Sequence, residues 1–419
     1  MRKHRSDLLI PLATFVLLIA GLIIIYAIGP MRVNFMKAAY SSNLSENYFF
    51  LHQVVNVTIS VVAFVVAFKT PYEKVRKFGK WVLVLGLLAC VVLWIAAKAG
   101  SGLAKCELGA CRWINLGGFG SLQPAEILKL GMVLYLAQLA GERKREGKLN
   151  SSDFWIPVGV VSFLSLFFVI VLQKDLGTGA VIIAIILGII FASGVELKRF
   201  LLVVGGIFVL GVLSIVTSAH RMERVTTFMK ADGADNYHIE NALIAIGTGG
   251  FSGVGVGNSV QATGYLPESI NDSVFAVMGE TFGFLGLTLI VGVFVLLLMR
   301  ILRIGEYGQN DEERLISVGV FSWIAMQMAV NIMAMTGMIP LTGITLPLLS
   351  YGGTSMMFTT ISLGLVAQLS CYTRREKELK QEKYTNRHLK NGRLGAKKVE
   401  LKGGMKRPIR KVGGMRSKR

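Results

Sequence analysis

The chain has 419 residues, 53% hydrophobic and only 17% charged, with a formal net charge of +20 and a mean hydropathy of +0.57. Soluble domains carry about a quarter charged residues, and here the apolar residues gather in runs of roughly 20, the length that crosses ~30 Å of hydrocarbon. This excludes a soluble fold, and the lack of short alternating segments excludes a β-barrel.

The runs predict an all-α polytopic membrane protein with ten spans, at 8–29, 50–68, 81–98, 124–140, 155–172, 177–194, 199–217, 273–299, 315–337 and 347–372. The first follows Met1-Arg-Lys-His-Arg, which resembles the start of a signal peptide. Its apolar run is too long for one, and no small-residue cleavage site stands out, so it reads as a retained helix. Segments on the side of the two termini, with the boundary residue Arg199, hold 35 of the 45 Lys and Arg. By the positive-inside rule both termini are cytoplasmic. That leaves 30–49, 99–123, 173–176, 218–272 and 338–346 outside, with 218–272 as the large loop between helices 7 and 8. Residues 1–372 form one transmembrane domain. Residues 373–419 form a basic, disordered cytoplasmic tail carrying 18 Lys and Arg. Such a segment beside a span suits anionic lipid better than nucleic acid.

Polar residues interrupt the apolar pattern in four places. Around the first, Cys106-Glu-Leu-Gly-Ala-Cys111 lies in an outside loop; extracytoplasmic space permits a disulfide there, but the spacing does not prove one. Arg112-Trp-Ile-Asn then leads to Gln123-Pro-Ala-Glu-Ile-Leu-Lys129. Pro124 suits a first helical turn. Glu126 and Lys129 share a helix face, either as an internal ion pair or with Lys129 as an anion ligand in a cavity. The second is Gln173-Lys-Asp-Leu-Gly-Thr178, where Asp175 reads first as a helix cap. The third is 218–272. It holds Arg221 and Arg224, cations suited to phosphate, a short amphipathic helix over 239–246, and glycine-rich 247–257. That stretch lacks the Gly-Lys-Ser/Thr ending of a phosphate-binding loop. Asp272 closes it at the edge of the next span. A carboxylate there is costly without a partner or a function, and from chemistry alone it is equally a cap or a catalyst. The fourth is 337–355, where two prolines and four glycines break an apolar stretch. This predicts non-helical backbone that lines a cavity or is buried in protein. Its hydroxyls, Ser350, Tyr351, Thr354 and Ser355, either bind headgroup atoms or satisfy freed backbone.

Taken together, the segments resemble the shape, elongation, division and sporulation family of FtsW, RodA and SpoVE. The matching stretches include Arg112-Trp-Ile, Gln123-Pro-Ala-Glu, Asp175-Leu-Gly-Thr, Ala245-Ile-Gly-Thr-Gly-Gly, Tyr265-Leu-Pro-Glu268, Phe275-Ala-Val-Met-Gly-Glu and Pro347-Leu-Leu-Ser-Tyr-Gly-Gly-Thr-Ser355, in family order. Gly257-Asn-Ser259 with Gln261 is more similar to the FtsW and SpoVE branch than to RodA.

The resemblance implies ten spans and a peptidoglycan glycosyltransferase. Such an enzyme polymerises lipid II at the outer face of the cytoplasmic membrane, during division at the septum. The family's essential aspartate follows Leu-Pro-Glu and corresponds to Asp272. As general base, Asp272 would take the acceptor hydroxyl's proton. Arg112, Lys129, Arg221 and Arg224, with Glu126, Glu268, Ser350 and Ser355, are the substrate-binding candidates. Mg²⁺ or another divalent cation is a candidate for neutralising the leaving pyrophosphate. No metal-ligand cluster or organic cofactor is assigned. A class B penicillin-binding protein and other division proteins are the implied partners. The chain departs from the family pattern at Ile270-Asn271 before Asp272, at Lys174, at Thr281 and at His238, where Gln is frequent. The Cys106/Cys111 pair also lies outside the resemblance. A lipid II flippase and a non-catalytic division scaffold are the rival functions.

Overall fold

The computed structural model describes residues 6–40, 44–107, 110–117, 120–230 and 234–372. The predicted tail lies outside them. The helices run α1 Leu9–Tyr40, α2 Tyr48–Lys69, α3 Tyr72–Lys98, α4 Pro124–Arg145, α5 Ser152–Leu166, α6 Leu176–Ser193, α7 Leu197–Val216, α8 Ala219–Lys230, α9 Ala234–Thr248, α10 Val274–Glu306, α11 Asp311–Met335 and α12 Gly353–Leu369. A π-helical stretch, Phe167–Leu172, continues α5. Three short antiparallel strands, β1 Ala104–Glu107, β2 Ala110–Asn115 and β3 Ser121–Leu122, form the one sheet among the described residues.

Nine of the described helices are long and apolar enough to cross a membrane. The protein is a multi-pass, almost wholly helical membrane protein. The tenth expected span, 124–140, is α4, which has the length but carries buried polar groups, Glu126 and Lys129. Pro124 occupies its first turn, where a missing N–H costs nothing. It is the most enclosed helix of the bundle, packed by α3, α6 and α11. Glycines permit that approach. A Cβ at Gly86 would lie 2.9 Å from Leu128 Cα, and one at Gly131 2.5 Å from Leu83 Cα. Small residues that let backbones close up are the usual means of helix association in lipid, where the hydrophobic effect gives no help. In contrast, α7 buries none of its residues.

Several boundaries differ from the hydropathy reading. Helix α1 runs on through Pro30 to Tyr40, so half of the expected 30–49 loop is helical. Segment 218–272 contains two helices, α8 and α9, rather than one short helix. The expected helix over 239–246 lies within α9; the polar α8 carries no span-like hydropathy, which is why the reading missed it. The last span begins at Gly353, not 347; residues 340–346 lack regular structure, and Leu348 has a φ of +65°. The broken segment at 337–355 was expected, and its breaks extend further than the span estimate allowed.

The glycine-rich stretch is spliced into a break in α10. Gly283 leaves helical geometry (φ +65°, ψ −166°). Phe284 and Leu285 N–H groups donate to Gly250 and Phe251 carbonyls instead of to their own helix. The carbonyls this frees on Glu280 and Thr281 accept from Val254 (2.9 Å) and Gly255 (3.1 Å). A Cβ at Gly253 would sit 2.2 Å from Thr281 O, so only glycine fits. The Glu280 carboxylate then accepts from the Ser259 hydroxyl and from Val260 N–H (2.9 Å). The backbone groups freed at the break thus find partners, as burial demands, although the Thr281 hydroxyl oxygen has none among the described residues.

At the other end of the bundle, Glu312 accepts from Tyr72 Oη (2.9 Å) and pairs with Arg76 (3.0 Å) and Arg145. This joins α3, α4 and α11.

Candidate active site

A cavity of about 1790 Å³ opens among the C-terminal part of α1, α2, the β-sheet, the N-terminal turns of α4 and α6, the end of α7, and the 267–272 and 339–345 segments. Arg32, Lys105, Arg112, Lys129, Lys174 and Arg221 line it, against the carboxyls of Glu126, Asp175, Glu268 and Asp272. The cavity is therefore cationic on balance and suits an anion.

Asp272 is half-buried. Its Oδ1 is shielded from solvent and has no hydrogen-bond partner among the described residues. Burial, and next the Glu268 carboxylate, push its pKa up to about 7, while nearby backbone N–H groups and Arg112 pull the other way. The expected cap role goes elsewhere: Ser273 is the N-cap of α10, so Asp272 stands one residue outside it. The Ser273 hydroxyl donates to Pro267 O (2.8 Å), leaving its lone pairs to accept from His238 Nε2 (2.6 Å). Asn331 Nδ2 donates to Asp272 O (2.7 Å) and to Ile344 O (2.7 Å). Three elements, α9, α11 and the broken segment, thus hold the turn that presents the carboxylate.

Arg112 and Asp272 both lie beside Gly343. A Cβ at Gly343 would be 3.4 Å from Arg112 Nη1 and 4.0 Å from Asp272 Oδ2, and φ there is +69°. Arg112 Nη2 donates to Lys174 O (3.1 Å), and its Nε is 3.9 Å from Asp175 Oδ2. Asp175 caps α6, accepting from Thr178 N–H (3.0 Å), as its sequence setting indicated. Arg221 donates to Ser214 O (3.1 Å) and to Ile170 O (2.5 Å). Desolvation pulls its pKa down from the usual guanidinium value.

Lys129 makes the internal ion pair with Glu126, at 2.8 Å with both side chains almost fully buried, and also reaches the cavity. Its ammonium also donates to Gln327 Oε1 (3.1 Å) and sits 4.6 Å from the Trp323 ring centroid. Gln327 in turn donates to Thr345 O (3.1 Å) and Ser355 Oγ (3.4 Å).

The sequence pattern that accompanies this site has a family counterpart. The model of the FtsW/RodA/SpoVE cell cycle proteins matches residues 8–375. The chain belongs to this family. It is 33% identical to stage V sporulation protein E of Bacillus subtilis, over 89% of this chain and 99% of that one. It is also 33% identical to the probable peptidoglycan glycosyltransferase FtsW of a Thioalkalivibrio species, over 80% of this chain and 84% of the relative. The fold is that of RodA from Thermus thermophilus (TM-score 0.61, 22% identity, 88% of this chain and 98% of that chain). A chain of a peptidoglycan synthase complex that coordinates polymerization and crosslinking is similar too (TM-score 0.67, 22% identity, 87% and 97%).

Of the candidates read from the sequence, Asp272, Glu268, Arg112, Glu126, Lys129, Arg221 and Ser355 meet at this one cavity. Glu268 faces Arg32 at 3.6 Å and accepts from Asn271 Nδ2 (2.5 Å). Ser350 is a correction. Its hydroxyl accepts from Leu346 N–H (2.8 Å), and it is not among the cavity-lining residues. It satisfies backbone freed by the break rather than a ligand. Arg224 lies on α8, with its side chain outside the described residues. Sequence reasoning missed His238, Gln327 and Asn331. The last two are four apart on an apolar span, a polar pair on one helix face that was itself a signal. His238 gave none beyond replacing a frequent Gln.

No group of three or more His, Cys, Asp or Glu among the described residues forms a metal cage. Asp272 lines the cavity with Glu268 close by, and its shielded Oδ1 has no hydrogen-bond partner among the described residues, so one or two carboxylates are at hand. That fits Mg²⁺, which takes one or two carboxylates and completes its shell with substrate phosphates and water.

Proposed function

We propose that this chain polymerises lipid II into glycan strands at the outer face of the cytoplasmic membrane, with Asp272 as general base. The observation that carries the reading is the Asp272 carboxylate, with one oxygen lacking a hydrogen-bond partner among the described residues, in a cation-lined cavity. The chain is a peptidoglycan glycosyltransferase, the activity for which its FtsW relatives are named; the substrate, the residue roles and the setting are our inference.

The reaction joins an acceptor sugar hydroxyl to the anomeric carbon of a donor sugar with inversion. Asp272 takes the hydroxyl proton as the oxygen attacks, and the bond from the anomeric carbon to the lipid pyrophosphate breaks. A positioned base contributes about 10²–10⁴-fold, most when its pKa lies near the working pH, as that of Asp272 does. Charge builds on the departing pyrophosphate. Arg112 and Arg221, fixed by carbonyl hydrogen bonds, stabilise it without reorganising. Lys129 adds less, because Glu126 already offsets its charge. A divalent cation, entering with the pyrophosphate and touching Asp272 or Glu268, would supply further charge neutralisation.

Both termini are cytoplasmic in this reading, which sets the cavity on the side where lipid-linked sugars are polymerised. A class B penicillin-binding protein is the proposed partner, division proteins at the septum the setting, and anionic lipid the ligand of the basic tail. The test uses purified protein and labelled lipid II, wild type against Asp272→Asn. We expect polymer from wild type and none from the variant, with equal recovery of folded protein. Polymer from both removes the base assignment. Transbilayer movement without polymer favours a flippase.

A further inference from the structure

The β1–β2 register slips beside the cavity. Lys105 faces Trp113, but Cys106 faces Cys111, so Arg112 has no partner on β1. It is the extra residue of a β-bulge. Bulges bend a strand and re-aim a side chain, and they recur next to active sites. Here the bulged residue is the arginine that reaches Lys174 O and lies beside Gly343, as Asp272 does.

The two rungs that flank the bulge set its direction. On one side Lys105 Nζ lies over the Trp113 ring at 5.9 Å, and β3 adds pairing only at Ile114 and Asn115. On the other side the rung is a disulfide between Cys106 and Cys111, with a single further rung, Glu107 to Ala110, beyond it. A two-stranded ribbon is marginally stable by itself in water. The covalent rung, adjacent in sequence to Arg112, is what keeps the bulge from sliding into regular register. A one-residue slip would turn the guanidinium to the other face of the ribbon.

We propose that the Cys106–Cys111 disulfide is the positioning element for Arg112, and through it sets the cavity's affinity for the pyrophosphate of a lipid-linked sugar. The identity of that ligand rests on the polymerase reading above. The disulfide touches no reacting atom. It acts through Arg112, which both binds the pyrophosphate and meets the charge that grows on it, so its loss should raise Kd and lower kcat/KM.

The test compares wild type and the Cys106→Ser/Cys111→Ser double variant in nanodiscs, titrated with fluorescent lipid II and assayed for polymer. Misplacement of a positioned group by about 1 Å can cost ~10²-fold in rate; for this partly supported bulge we expect Kd to rise about tenfold and kcat/KM to fall at least as far. Wild type treated with a phosphine, which is oxidised as the two thiols form, should show the same shift without any substitution. In an Arg112→Ala background, removing the disulfide should change nothing further, since coupled residues are non-additive. Unchanged affinity in both the variant and the reduced wild type overturns the inference. So do thiols at 106 and 111 that react before reduction, or an equal added loss in the Arg112→Ala background. A wild type that binds lipid II with this disulfide dependence but makes no polymer overturns the polymerase reading instead. No binding at all by wild type overturns both.

Discussion

Asp272 carries the proposed chemistry because its surroundings deny it a full set of partners. Burial and Glu268 raise its pKa to about 7, and a base works only when ionised. The sign follows: kcat should be flat above that pH and fall about tenfold per unit below it. A pH–rate profile flat from pH 5 to 8 would remove Asp272 as the titrating base. Glu268→Gln takes away a like charge, so the profile's acid limb should move to lower pH. The Glu126–Lys129 pair poses the opposite case, two charges that are buried and matched. Breaking a buried pair leaves one charge stranded and costs ~3–5 kcal/mol, whereas replacing both is often near neutral. Lys129→Met should therefore lower detergent melting stability sharply, and Glu126→Gln/Lys129→Met should recover most of it. Equal stability of the two variants would argue that Lys129 is held for the ligand alone.

Among elements, those with strong period or punctuation were legible and those made by backbone exchange were not. Apolar runs marked the long helices, Pro124 the start of α4 and Asp175 the cap of α6. The break at 337–355 was signalled by its prolines and glycines. The splice of 250–255 into α10 was not, because its hydrogen bonds join segments some thirty residues apart and no local pattern encodes them. The glycines there could be read only as loop geometry. The splice makes a sharp prediction at Gly253, where φ is +80° and a Cβ would strike Thr281 O. Gly253→Ala should destabilise by about 2 kcal/mol through strain and displaced backbone. Thermal melting in detergent reads this directly, and an unchanged melt would mean that the splice is not maintained. The same limit applies to the sheet: its strands are too short for a periodicity signal, and Cys106 and Cys111 were two thiols of undecided pairing.

For the whole molecule, charge asymmetry and cavity position lead to one arrangement. In the proposed orientation, basic loops and both termini lie on the cytoplasmic side, and the cavity on the other. A fluorescent protein fused after residue 372 should fold and emit in bacteria, while a periplasm-dependent phosphatase inserted at 231–233 should be active. The reverse pattern would invert the topology and separate the cavity from its proposed substrate. Composition and run length by themselves determined the membrane class, because lipid permits only self-satisfied helices or closed barrels. The ordered motifs determined the family and pointed to Asp272. What only the tertiary structure decided is which polar residues meet. Ser350 turns to backbone while Ser355 faces the cavity, Lys129 is both paired and cavity-lining, and His238, Gln327 and Asn331 support the turn and the layer beneath it. Hydropathy reports transfer from water to lipid one residue at a time. The direction of a side chain, and whether its partner is backbone, ion or ligand, depends on segments far apart in the chain.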